Sequence, residues 1–169
     1  MGKIKLTLLA LVSVYSLHAQ QMVDLEENTP YVYNGLEYGF SVTNERSKEV
    51  KGEDYDRYEI SLYVANKSGC IKLIPFQNTS GQSEEERTIA MFNCINATGK
   101  RLTSKSGKVN ARPMFTQVKV TDGNQSKFIN AQVGFGIKNG QIISNKIVVI
   151  VPKGEKPKLS LSVLSFPEI

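Results

Sequence analysis

The sequence predicts an antiparallel β-sandwich of eight to nine strands, with a closed β-barrel as the alternative, and three observations predict it. Apolar residues alternate with polar ones at period 2 in stretch after stretch, turn formers recur every 8 to 15 residues, and no ten-residue window carries the helical period. Sandwich and barrel strands alternate in the same way, so the choice between them stays open at this point.

The chain opens with the short positive segment Met1-Gly2-Lys3-Ile4-Lys5, succeeded by a mostly apolar run from Leu6 to Leu17. That is the form of an export signal, with cleavage expected after Ala19 or, as second choice, Ser16; a membrane-spanning helix needs about twenty apolar residues. The expected organisation is a signal peptide over 1–19, a flexible polar lead-in over 20–29 and one domain over 30–169. The Ala19-Gln20-Gln21 junction resembles those of exported proteins of gliding Gram-negative bacteria, which implies a periplasmic or secreted product. The rest of the chain has no second apolar run of eighteen residues, so a soluble mature chain is expected.

Strands are then read in order. Asn34-Gly35 sits between Pro30–Tyr33 and Leu36–Thr43, the strongest short-range hairpin signal, with Leu36, Tyr38, Phe40 and Val42 on one face. Asn44–Arg57 holds nine charges in fourteen residues and reads as a solvated loop. Tyr58, Ile60, Leu62 and Val64 alternate with Glu59, Ser61, Tyr63 and Ala65; Asn66-Lys67-Ser68-Gly69 then turns the chain into Cys70–Ile74, a central hairpin ended by Pro75. Gln77–Arg87 is a polar loop, Thr88–Cys94 a strand, and Lys100–Arg112 a basic segment ended by Pro113. Phe115–Val120 and Ile129–Ile137 flank the turn Asp122-Gly123-Asn124. Asn139-Gly140 predicts a further hairpin into Ile142–Val151, which is apolar on both faces and so expected to be central or covered. Leu159, Leu161 and Val163 alternate with serines in the last strand.

The run Leu62-Tyr63-Val64-Ala65-Asn66-Lys67-Ser68-Gly69 resembles the strand ending common in immunoglobulin-like domains of bacterial envelope proteins. The resemblance implies a fold class and carries no function. The chain departs from antibody-type domains in having no tryptophan.

Composition closes several chemistries. The only histidine, His18, lies in the signal, so the mature chain has no Ser-His-Asp or Cys-His pair and no imidazole ligand for a metal. No cofactor is implied. Cys70 and Cys94, in a chain bound for an oxidising compartment, are expected to form a disulfide; two separate thiols or a redox pair are the alternatives.

Charge is segregated. From Gln20 to Glu59 ten acids and four bases give −6, and from Ile60 to Thr121 three acids and nine bases give +6. The working surface expected from this pattern is a pair of loops: Glu49–Tyr58, with Asp54, Tyr55 and Asp56, and Gly99–Arg112, with Lys100, Arg101, Lys105, Lys108 and Arg112. The basic loop either meets an anionic partner or pairs with the acidic loop of its own chain. The carboxylates at 53, 54 and 56 do not continue as a calcium loop, since Tyr58 and Glu59 stand where a ligand and a glycine belong. Export and the lack of aromatics between the basic residues argue against nucleic acid. The expected function is a non-catalytic module of the cell envelope that binds a protein or an anionic glycan. A glycan-binding module and a histidine-free hydrolase using paired carboxylates such as Asp54, Asp56 or Glu59 are the alternatives. Asn66, Asn78, Asn96 and Asn124 begin N-x-[ST] triplets, glycosylation acceptors in a eukaryotic pathway and ordinary turn residues in a bacterium.

Overall fold

The computed structural model of the chain describes residues 22–50, 52–75, 87–96, 106–123 and 125–163. Every regular element among them is a strand: β1 (Met22–Leu25), β2 (Tyr31–Tyr33), β3 (Leu36–Val50), β4 (Glu53–Asn66), β5 (Lys72–Pro75), β6 (Arg87–Cys94), β7 (Ser106–Asp122), β8 (Gln125–Ile137), β9 (Ile142–Pro152) and β10 (Leu159–Val163). They pair antiparallel in two sheets, ordered β1-β10-β6-β7-β8-β5 and β2-β3-β4-β9.

Period 2 is what joins the sheets. Tyr58, Ile60, Leu62 and Val64 of β4 are buried together with Leu36, Tyr38 and Phe40 of β3. From the six-stranded sheet Ile89, Phe92, Val109, Ile137, Leu159 and Leu161 enter the same core. Each such side chain contributes roughly 1.5–3 kcal/mol by leaving water. Gly107 marks a close approach of β7 to the other sheet, because a Cβ there would run into the Leu62 side chain and stand 2.8 Å from Ile147 Cγ2.

Two of the four expected hairpins form. At Asn34-Gly35 both residues take left-handed φ values, 52° and 72°, as a type I′ turn requires, and β2 pairs with β3. At the second, β7 pairs with β8 out to Asp122↔Gln125. The other two do not form: β4 and β5 lie in different sheets, as do β8 and β9. One buried side chain explains both corrections. Asn66, fully buried, donates from Nδ2 to Cys70 O (2.8 Å) and Ile137 O (2.9 Å) and accepts at Oδ1 from Ser68 N (3.0 Å) and Ser68 Oγ (2.7 Å). Its backbone N–H donates to Gln141 O and its carbonyl accepts from Gly140 N, both at 2.9 Å. The turns at 66–69 and 138–141 are thus locked against each other as a corner that carries the chain between sheets. Here Asn-Gly serves as an arch, and of that pair only Gly140 has positive φ (72°).

Further expectations are corrected. The lead-in holds β1, whose Leu25 is buried against β10. The charged segment Asn44–Arg57 is largely strand, the far half of the β3–β4 hairpin, because alternate strand faces leave its charges in solvent while the ladder satisfies its backbone. Likewise the basic segment is β7 from Ser106 onward. Among the described residues β9 stands at the edge of its sheet, paired to β4 alone. Asn66 and Asn96 are buried rather than displayed on surface turns.

The expected disulfide is absent: Cys70 is exposed, Cys94 is buried, and both thiols are free. Cys70 leads into β5 and Cys94 ends β6, and β7 and β8 lie between those strands. Three strand spacings are about 14 Å, well beyond the Cα reach of a disulfide. Burial pushes the Cys94 thiol up from its ordinary pKa, which makes it unreactive. The segment 1–19 expected to be a signal peptide, the Glu84–Glu86 run, Asn78, Asn124 and the tail from 164 lie outside the described residues.

Candidate interaction surface

The β7–β8 hairpin outruns its neighbours. Among the described residues β6 accompanies β7 as far as Ala111, and β5 accompanies β8 over Gly134–Ile137. Beyond a bulge between Met114 and Phe115, eight rungs from Phe115↔Gln132 to Asp122↔Gln125 have no third strand among the described residues. The result is a two-stranded arm of about 27 Å at the usual rise per residue. Pro113 stands at its foot, opposite Phe135 of β8 and past the last described rung with β6. A bulge at such a point re-aims the strands beyond it.

Residues directly opposite in an antiparallel pair share a face. One face of the arm therefore carries Phe115, Gln117, Lys119 and Thr121 with Gln132, Asn130, Phe128 and Ser126; the other carries Thr116, Val118 and Val120 with Ala131, Ile129 and Lys127. Phe128 is 70% and Phe115 61% exposed, and Val118, Ile129 and Val133 are exposed as well. Taking about 200 Å² for each aromatic side chain, the two phenylalanines alone leave roughly 260 Å² in water, close to the size at which apolar patches on soluble proteins become functional. Lys119 and Lys127 give the arm a positive sign against the single Asp122, and Arg112 is exposed at its foot.

The expected site residues divide. Asp54, Tyr55 and Asp56 lie on β4, with Tyr55 and Asp56 buried. Asp56 accepts from Gly154 N (2.7 Å) and Ser47 Oγ (3.1 Å), Asp54 pairs with Lys153 (2.6 Å), and the Tyr55 hydroxyl donates to Glu53. Next to them Tyr58 donates to Glu45 Oε1 (2.9 Å) and Glu155 O (3.1 Å), and Lys156 pairs with Glu45 (2.9 Å). Asn96, buried at the end of β6, donates to Glu155 Oε2 and Lys156 O and accepts from Lys158 N. Burial first, and Glu45 second, push Tyr58 up to about 12, so its O–H stays a donor. The Lys156 ammonium, then the Tyr58 hydroxyl, hold Glu45 below the usual carboxylate range. These residues form a latch that straps the 153–158 crossover onto the far half of β3–β4.

The acidic segment thus takes its cations from the β9–β10 crossover, at Lys153 and Lys156. Lys108 and Arg112 sit exposed on β7, with Asn145 Nδ2 donating to Lys108 O (2.9 Å), and are not brought to Asp54 or Asp56. Lys100, Arg101 and Lys105 lie outside the described residues. Each carboxylate named for hydrolysis within the described residues has a partner, Glu59 holding Arg57 at 2.8 Å. Among the described residues no three His, Cys, Asp or Glu side chains are grouped to hold a metal ion, and no helix is long and apolar enough to cross a membrane. Sequence reasoning missed the arm. Its signal was Pro113 trailed by apolar residues on both faces of one strand, Phe115 against Val118 and Val120, where a strand with one covered face shows a single apolar side.

Comparison with protein-family models, with curated proteins and with solved structures returns no match to this chain.

Proposed function

We propose that this chain is an exported, non-catalytic interaction module that holds a protein partner of the cell envelope through the β7–β8 arm. One observation carries the reading: Phe115, Val118, Phe128, Ile129 and Val133 stand in water on a ribbon two strands wide. Such a ribbon is marginally stable alone and gains from being covered. A protein fits better than a lipid surface, because the open strand edges need hydrogen-bond partners that hydrocarbon lacks. Lys119, Lys127 and Arg112 favour an acidic contact region.

The remainder of the chain serves as a rigid mount. Two sheets with free outer strands over one core support a sandwich rather than a closed barrel, and the resemblance at Leu62–Gly69 suggests the immunoglobulin-like kind. The segment 1–19 supports export to the periplasm or beyond. Engagement of Asp54, Asp56 and Glu59 in structural contacts favours binding over hydrolysis.

The test is a photo-crosslinking amino acid placed at Phe128 and, as control, at Lys48 in the protein expressed in its own envelope. We expect one defined protein adduct from position 128 and none from 48. Adducts only from 48, or none from 128, would sink the reading.

A further inference from the structure

We propose that the arm pairs with the arm of a second copy along the outer edge of β7, giving a two-fold dimer with a four-stranded platform. The inference rests on the reading of the arm as the contact element and adds its first partner.

The edge from Arg112 to Asp122 begins where β6 stops, and no described strand pairs with it. Its two ends carry opposite charges, both exposed, and they are equidistant from Gln117. Laid antiparallel on a copy of itself with Gln117 facing Gln117, the strand sets each Arg112 opposite an Asp122 of the other copy. Between them Met114 faces Val120, Phe115 faces Lys119, and Thr116 faces Val118. Opposed residues in an antiparallel pair share a face, so the Phe115 and Lys119 side of one arm continues into that of its partner. A lysine stem and ammonium against a phenylalanine ring is a favourable pair. Moving the centre by one residue to Val118 or Thr116 leaves Asp122 opposite Met114 or Asn110 and pairs neither charge. Pro113, which lacks an N–H, faces Thr121 one rung inside the Arg112–Asp122 pair, next to the end of the ladder, where the loss of a donor weakens it least.

A second copy supplies what the arm lacks. It offers backbone donors and acceptors to the open edge and raises the strand count from two to four, above the three needed for a sheet with an apolar face to stand in water. The contact is isologous and closes on itself, so it makes dimers and not fibres. The platform then presents two Phe115 and two Phe128 rings on one side for the envelope partner, with the β8 edges still open.

The experiment is sedimentation velocity on the mature chain at concentrations up to about 100 μM, with Arg112→Asp, Asp122→Arg, the double reversal, and a mixture of the two single variants. Both positions are exposed, so all variants should melt as the parent does. We expect a dimer for the parent, a dissociation constant raised about tenfold or more for each single reversal, and recovery in the double variant. The equimolar mixture is the sharpest arm: Arg112→Asp chains and Asp122→Arg chains should pair with each other better than either pairs with itself. A parent that stays monomeric, or a dimer indifferent to the reversals and the mixture, overturns the proposal. A monomeric parent that still gives the adduct from position 128 would leave the external-partner reading standing alone. A charge-sensitive dimer with no such adduct would do the reverse.

Discussion

The β3–β4 and β7–β8 hairpins are of similar length, yet one is held along its far half and the other has no third strand beside its far half among the described residues. On β3–β4 the rungs from Glu45 to Asp54 carry Glu45, Glu49, Asp54 and Asp56, and the third strand β9 accompanies β4 down to Tyr55. The 153–158 crossover then adds Lys153 to Asp54, Gly154 to Asp56 and Lys156 to Glu45. On β7–β8 the described third strands stop at Ala111 and Gly134, and the rungs beyond them mix polar residues with exposed apolar ones on both faces, Phe115 and Phe128 on one and Val118 and Ile129 on the other. A charged far half is made part of the body by its own chain, whereas the half that exposes Phe115, Val118, Phe128 and Ile129 has no third strand among the described residues.

The largest test of this contrast pairs two aromatic residues. Tyr58→Ala removes a fully buried ring and two hydrogen bonds from the latched hairpin, and we expect a loss of about 3–5 kcal/mol in denaturant melts. Phe128→Ala on the arm should stay within about 0.5 kcal/mol. Similar losses would mean that the arm is packed on its own body. Next in size is Asp56→Ala, which removes a buried carboxylate and its bonds from Gly154 N–H and the exposed Ser47 hydroxyl; about 2 kcal/mol is expected, the worth of hydrogen bonds to a charged group. Lys119→Ala on the arm is the control, and equal midpoints for the two would show that the latch holds nothing.

Much of this was legible in the sequence, and the failures share one physical reason. The inward set Tyr58, Ile60, Leu62 and Val64 comes from alternation, which reports the face of a strand and nothing about its neighbour. Partner choice is a tertiary matter. Asn139-Gly140 reads as a hairpin because the dipeptide favours one, but the buried Asn66 offers its backbone to that turn and sends β9 to the other sheet. The disulfide expectation rested on the compartment and the pair of cysteines, neither of which reports that β7 and β8 separate Cys94 from Cys70. The segment 44–57 reads as a loop because charge runs say where solvent is, and here the run sits on strand residues to which a later crossover brings Lys153 and Lys156.

Amide exchange gives a finer reading at almost no energy. Amides of β4 between Tyr55 and Glu59 lie between two ladders and should open only with much of the fold, while outward amides at 116–120 should exchange with the lowest protection of any strand. If arms pair in solution, that protection rises with protein concentration and nowhere else does. Uniform protection of both hairpins at low concentration would erase the distinction between them.

The smallest effect expected is on the latch itself, and its sign is fixed by two opposed shifts. Glu45 is held below the usual carboxylate value by Lys156 and Tyr58, so its share of stability is present above the unfolded value near 4.5 and fades as pH falls through the lower folded value. Lys156 is held above its usual value, chiefly by its bond to Glu45, so its share is present below about 10.5 and is lost as pH rises through the raised value. Both groups are largely exposed, which keeps the gain small. Tracking the Tyr58 ring and Gly154 amide signals by NMR from neutral pH into acid should show the latch loosening below the ordinary carboxylate range, with the Glu45→Gln variant already loosened at neutrality. The signals of Phe115 and Phe128 should not move over the same acid titration, since the carboxylate nearest to them in the arm, Asp122, sits at its far tip. An arm that titrated together with Glu45 would mean the two hairpins are coupled through the body, and the contrast between a latched and a free element would fail.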